Sequence, residues 1–141
     1  MVKFTEVSWK NFLSTGNVKT VIQLDRSPST VITGENGAGK STILDALTLG
    51  LFGKPFRNIK KQQLINSINN KGLEVEVKFT IGSTNYVVRR GMKPHLFEIH
   101  KNGKMIDQPG SVREYQLQLE NQILKLNYKS FTQIVILGNA S

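Results

Sequence analysis

Apolar and polar residues alternate strictly from position 73 to position 81, and this is the clearest structural pattern in the chain. Successive side chains of an extended chain point to opposite sides, so the apolar members share one face. Those members are Leu73, Val75, Val77, Phe79 and Ile81. The pattern predicts a half-buried strand of an antiparallel sheet, with one face on the core and the other in water.

Shorter apolar runs predict further strands. We place them at residues 2–12, 18–24, 85–90, 96–101, 104–106 and 134–137. Gly82-Ser83 and Asn102-Gly103 have the residue types that tight hairpin turns require. Neighbouring strands joined by such turns predict that most of the sheet is antiparallel.

Apolar residues recur at helical spacing in two places. In the first helix, Gly50 or Gly53 is expected to end the element. In the second, Ser111 is a predicted N-cap, with Glu114 three residues later. The apolar positions are Ile43, Leu44, Leu47 and Leu51 in the first helix, and Val112, Tyr115, Leu119 and Ile123 in the second.

A glycine-rich segment, residues 34–42, precedes the first helix and fits the pattern G-x-x-x-x-G-K-[ST]. An apolar run, residues 30–33, leads into it, so the context is strand, loop and helix. Backbone N–H groups of such a loop surround a phosphate, and the helix N-terminus adds partial positive charge. Lys40 is predicted to reach the β- and γ-phosphates of ATP, and the Ser41 hydroxyl to ligate Mg²⁺. The predicted nucleotide-binding residues are Gly34, Asn36, Gly37, Ala38, Gly39, Lys40, Ser41 and Thr42. The alternative is a glycine-rich turn that only connects two elements.

The net charge of +9 is concentrated in the middle of the chain. Residues 53–104 carry eleven of the nineteen Lys and Arg residues but only three acids. This concentration indicates a polyanionic partner other than the nucleotide, and specific contacts can be predicted for the case that this partner is duplex DNA. The predicted DNA contacts are Lys60, Lys61, Arg89, Arg90 and Lys93. Arg89 and Arg90 would point to opposite faces of a strand, so at most one of them is expected to touch DNA. The alternative is a solvated basic face without a partner.

The remaining bulk properties narrow the class of protein. The 141 residues are expected to form one α/β domain, residues 1–141, with a mixed sheet that includes an antiparallel layer. The absence of cysteine excludes disulfides and thiolate metal sites. No apolar run approaches membrane-spanning length and no signal peptide is evident, so the expected location is the cytoplasm.

Several segments resemble one family: Lys10-Asn11-Phe12, Gly34 to Ala46, and Phe131 to Gly138. They are similar to the amino-terminal ATPase lobe of SbcC-type proteins, the SMC-like ABC ATPases that partner a double-strand-break repair nuclease. Leu51 to Arg57, with Gln63 to Ser67, is most similar to the branch encoded by T-even-type bacteriophages. In that branch the protein is the ATPase subunit of a recombination endonuclease, which implies the host cytoplasm.

The resemblance implies lobe I of a split P-loop ABC ATPase head. A coiled coil and a second lobe would complete the head, and two heads would dimerise around ATP. The isolated chain would then hydrolyse little ATP, because the resemblance places the groups for water activation on the other lobe. The family also places a Mg²⁺-contacting Gln just beyond the last strand. That position corresponds to Asn139 here, with Gln133 as the other candidate.

Two other functions stay open on the sequence. One is a self-sufficient small P-loop kinase or NTPase, although the remaining residues show no acceptor site. The other is a non-catalytic DNA-binding module that retains nucleotide binding. ATP turnover by the isolated chain would favour the first, and DNA binding indifferent to ATP would favour the second.

Overall fold

The computed structural model describes residues 2–12, 19–24, 37–57 and 71–133, with only the backbone for residues 37–41. These residues are built around one antiparallel sheet. Within that part, six strands lie in the order β2-β1-β3-β4-β5-β6. Their bounds are β1 Val2–Lys10, β2 Thr20–Gln23, β3 Leu73–Ile81, β4 Thr84–Met92, β5 Leu96–Lys101 and β6 Lys104–Met105. The predicted antiparallel layer is confirmed.

The alternation predicted for residues 73–81 is confirmed, because the apolar side chains of β3 face the core. Val77 is fully buried and lies opposite Val7 of β1 and Val88 of β4. The hairpins are confirmed as well. Gly82 (φ +62°) lies between β3 and β4, and Gly103 (φ +85°) between β5 and β6.

Helix α1, Gly37–Phe52, lies against the inner face of the sheet. Every residue from Ile43 to Phe52 is buried, so the helix is covered on all sides. Gly50 permits the close approach of α1 to β3, since a Cβ at this position would lie 2.7 Å from Val77 Cγ2. Of the two glycines predicted to end the helix, the structure shows that Gly53, at φ +80°, is the one that does.

The second helical region is divided in two. Helix α2, Val112–Gln118, begins as predicted, with the Ser111 side chain accepting a hydrogen bond from the Glu114 N–H. It continues as a π-helix, Leu119–Leu124. The wider turn brings Leu119 and Leu124, five residues apart, onto the core together.

Residues 128–133 form a short helix, α3, which was not predicted, so Phe131 and Gln133 belong to a helix that precedes the strand predicted at 134–137. Asn127 favours the helix because its Oδ1 accepts the Ser130 N–H at 2.8 Å. Tyr128 and Phe131, three residues apart, both pack on Phe52.

Several sequence predictions fall on residues that the structure does not describe. They are the strand at 30–33, the first part of the phosphate loop, the segment 58–61 and the apolar run 134–137. Among the helices that the structure does describe, none is long and apolar enough to cross a membrane.

Candidate nucleotide-binding site

The start of α1 coincides with the glycine-rich sequence motif. The helix begins at Gly37, so Lys40 lies in its first turn and Ser41 immediately after it. The first N–H groups of a helix have no partner within the helix, and the helix dipole makes that end attractive to anions. The first turn carries no acidic residue that would oppose an anion. This arrangement fits a bound phosphate.

The remaining predicted nucleotide residues are placed to different extents. Gly34 and Asn36 lie outside the described residues, and Thr42 is half-buried within α1. In the described part of the chain, no group of three or more His, Cys, Asp or Glu side chains could hold a metal ion. The Mg²⁺ ligand predicted from the sequence, the Ser41 hydroxyl, belongs to the part of α1 for which the structure describes only the backbone.

A buried carboxylate lies one turn beyond Ser41. Asp45 is fully buried, and its Oδ1 accepts the backbone N–H of Arg57 at 2.8 Å. Its Oδ2 accepts from Nε and Nη2 of Arg57, both at 2.6 Å. The chain that leaves α1 at Gly53 is thereby held back along the same helix.

Tyr128 fixes the same returning segment closer to the end of α1. Its hydroxyl donates to the Pro55 carbonyl at 3.0 Å, and the Lys54 ammonium lies 4.1 Å from the centre of its ring. Burial raises the pKa of Tyr128, and the negative charge of Asp45 raises it further. The hydroxyl therefore stays protonated and donates at neutral pH.

Arg90 lies on the inner face of the sheet. Its Nε donates to the Gly50 carbonyl at 3.1 Å, its Nη2 donates to Gln116 Oε1 at 2.6 Å, and its guanidinium lies 3.8 Å from the centre of the Phe97 ring. Burial lowers the pKa of Arg90 to about 10, an effect that the charge of Glu120 opposes, so the group stays charged at neutral pH. This enclosed position argues against the predicted contact of Arg90 with DNA.

Arg89 lies on the outer face, among acids of neighbouring strands. It pairs with Glu74 at 3.0 Å, Glu98 at 3.2 Å and Glu76 at 3.5 Å. Lys10 also pairs with Glu74, at 3.1 Å. The positive charge of Arg89 is largely neutralised, so this face of the sheet offers a DNA backbone little net attraction. The opposite orientation of Arg89 and Arg90 is as predicted.

Lys93 is the predicted DNA contact that the structure leaves exposed. It lies in the turn after β4, and its carbonyl accepts the Gly72 N–H at 2.8 Å, which places the exposed Lys71 beside it. Lys60, Lys61 and Asn139 lie outside the described residues. Gln133 is exposed at the end of α3, a helix rather than a strand.

Asp45 and Arg57 were not predicted as functional residues from the sequence. Asp45 interrupts an otherwise apolar helix, and such an acid needs a buried partner. Its partner Arg57 is twelve residues away and was noted only as part of the basic stretch and of the segment that carries the family resemblance. An acid within an apolar helix is the sequence signal from which this buried pair could have been predicted.

Comparison with known proteins places these features in a family. An AAA domain matches residues 6–141. Over 138 residues, the chain is 48% identical to exonuclease subunit 2 of Enterobacteria phage T4, covering 98% of this chain and 24% of that protein. It is 29% identical to the DNA double-strand break repair Rad50 ATPase of Sulfolobus acidocaldarius over 139 residues, covering 96% of this chain and 15% of that protein. The chain thus spans about a quarter, or less, of the length of these relatives.

A solved structure supports the architecture. It comes from work described as "Structural biochemistry of ATP-driven dimerization and DNA stimulated activation of SMC ATPases". The TM-score is 0.58 at 22% identity, covering 91% of this chain and 82% of that chain, which establishes a shared fold. Three observations agree: a helix that begins in the glycine-rich motif and lies against an antiparallel sheet, the AAA domain match, and the homology to the phage subunit and Rad50. The chain therefore belongs to the AAA domain family and has the fold of an SMC-like ABC ATPase lobe.

Proposed function

We propose that this chain is the lobe of a DNA repair or recombination ATPase that binds Mg²⁺-ATP at the start of α1. The observation that carries the proposal is the position of α1. It begins inside the glycine-rich motif, carries no acidic residue in its first turn, and is buried from Ile43 to Phe52. A glycine-rich turn that served only as a connector would not need the lysine and hydroxyl that follow the glycines.

Each residue of the motif has a distinct role in this proposal. Backbone N–H groups from Gly37 to Lys40 surround the phosphates, and the Lys40 ammonium neutralises charge on the β- and γ-phosphates. The Ser41 hydroxyl holds Mg²⁺. The bound metal would supply electrostatic stabilisation of the phosphates.

The two candidates for a further Mg²⁺ contact differ in reach. Phe131 packs on Phe52, which is eleven residues, or about 16 Å of helix, beyond Ser41. Gln133 follows Phe131 by two residues, so it is nearer to the Phe52 end of α1 than to the phosphate end. Asn139 is six residues further on, a length that spans at most about 20 Å when extended. This reach supports Asn139.

The larger assembly is also part of the proposal. The chain spans a quarter of relatives named as an exonuclease subunit, and the matched fold comes from work on ATP-driven dimerisation of SMC ATPases. We therefore infer a second lobe joined through a coiled coil, a nuclease partner, duplex DNA as the substrate, and dimers of heads that close on ATP. Hydrolysis would need the second lobe, so the isolated chain would turn over little ATP.

The metal role of Ser41 tests the site. Ser41→Ala should weaken ATP binding by about tenfold when Mg²⁺ is present, because one metal ligand is lost. Without Mg²⁺ the variant and the wild type should bind ATP equally. Calorimetric titration of ATP with Mg²⁺ and with EDTA measures both values. An equal defect in both conditions would contradict a metal role for Ser41.

A further inference from the structure

In the ion pair between Asp45 and Arg57, the carboxylate is completely buried and the arginine side chain is partly exposed. The Asp45 side chain has no exposed surface, whereas 42% of the Arg57 side chain is accessible to solvent. Three donors of Arg57, the backbone N–H, Nε and Nη2, converge on the two carboxylate oxygens. Charge-assisted contacts of this kind are strong and specific in geometry. The pair is therefore a fixed feature of the helix surface.

The pair lies close to the phosphate end of α1. Positions 41 and 45 share a face of the helix and are separated by about 6 Å along its axis. A negative charge at Asp45 would oppose a triphosphate bound at the helix N-terminus. Coulomb's law gives a repulsion of roughly tenfold in affinity for a doubly charged ligand at about 10 Å, with an effective dielectric constant between those of protein and water. Arg57 supplies the charge that removes this repulsion.

We propose that Arg57 is a positioning residue of the nucleotide site: it neutralises Asp45 and holds the chain after α1 against the helix, so that the carboxylate anchors this chain without repelling the bound phosphates. The inference rests on the proposed function, since it concerns the same nucleotide. A clamp that only stabilises the fold is the alternative outcome. The two differ because a structural clamp does not depend on the sign of the charge left behind.

A double-mutant cycle at Asp45 and Arg57 separates these outcomes. The full-length protein is titrated with Mg²⁺-ATP and with Mg²⁺-ADP at pH 8, and thermal unfolding is followed in parallel. Arg57→Gln should weaken Mg²⁺-ATP binding by about tenfold, and Mg²⁺-ADP binding by less, because ADP carries less charge. Adding Asp45→Asn to Arg57→Gln should restore the affinity to within about threefold of the wild type, since the repelling charge is gone.

Tyr128→Phe is the matched control. It removes the hydrogen bond to Pro55 on the same returning segment without leaving a charge. It should lower stability without changing nucleotide affinity. Arg57→Lys keeps the charge and should retain most of the affinity, which covers the case in which Arg57→Gln folds poorly.

Two results would overturn the proposal. One is wild-type affinity in folded Arg57→Gln, and the other is a double variant as weak as Arg57→Gln alone. Failure of the proposed function looks different, because the wild type itself would then not bind Mg²⁺-ATP.

Discussion

Arg89 and Arg90 are neighbours on β4, yet the two faces of the sheet give them different environments. On the outer face, Arg89 meets three glutamates at the surface, and its side chain is 39% exposed. On the inner face, Arg90 is enclosed between the end of α1, Gln116 and the Phe97 ring. Solvent screens the ion pairs of Arg89 but not the contacts of Arg90. Equal charges with several partners each are therefore expected to contribute very differently to stability.

The inner arginine also connects three elements. Gln116 accepts from Arg90 and donates through Nε2 to the Leu51 carbonyl at 2.9 Å. Gly50 and Leu51 belong to the last turn of α1, where helix carbonyls lack helical partners. A cation and an amide at this end satisfy those carbonyls and complement the helix dipole. Arg90 therefore fixes the end of α1 opposite to the phosphate-binding end.

Arg90→Ala is expected to have the largest effect on stability. It leaves the Gly50 carbonyl and the Gln116 amide oxygen without their donor and opens a cavity beside Phe97, for a loss of about 2–4 kcal/mol. Urea unfolding measures the change. Arg90→Lys keeps the charge but loses the planar fork and should lie in between. A loss no larger than that of Arg89→Ala would remove the distinction between the two faces.

Arg89→Ala should cost less than about 1 kcal/mol, because exposed ion pairs are weak. The loss should shrink further in high salt. Burial raises the pKa of Glu74, but hydrogen bonds from Lys10 and Arg89 outweigh this, so the pKa lies below its ordinary value of 4.5. The contribution is therefore complete above pH 4.5 and is lost as the pH falls through the lowered value. An effect of Arg89→Ala that is independent of both salt and pH would show that its ion pairs do not matter.

Reversing the charges of Lys71 and Lys93, which lie at one end of the sheet, should weaken DNA binding without changing the stability of the fold. Lys71→Glu with Lys93→Glu should weaken binding to every duplex sequence alike, and each lost phosphate contact should lower the slope of log affinity against log salt by about 0.9. Lys101→Glu with Lys104→Glu, at the opposite end of β4 and β5, is the matched control. Equal effects of the two pairs in the assembled complex would indicate a general charge effect and not a site.

Alternation along the chain was enough to predict which residues of β3 face the core and that Arg89 and Arg90 face opposite ways. It could not predict what each arginine would meet, because Gln116 is twenty-six residues away from Arg90. The same limit explains why α3, residues 128–133, was not predicted from the sequence. Only two aromatic residues stand among polar ones in this segment, and both pack on the distant Phe52.

The phosphate site is a prediction from consecutive residues of the sequence, and the structure adds to it that α1 begins at Gly37. The Asp45 and Arg57 pair could not be predicted in this way, because it forms only when the chain turns back along α1. The predicted DNA contacts show the same division. Composition identified a basic stretch, but only the fold shows that Arg90 is enclosed, Arg89 is neutralised and Lys93 is exposed.

The central claim is that the start of α1 binds the phosphates of ATP, and calorimetry on Lys40→Ala tests it most directly. We expect Mg²⁺-ATP affinity to fall by about a hundredfold, because a charge-assisted contact to phosphate is lost. The unfolding temperature should match that of the wild type, since this lysine is predicted to contact ligand and not the core. Unchanged Mg²⁺-ATP affinity in a folded Lys40→Ala protein would contradict the account.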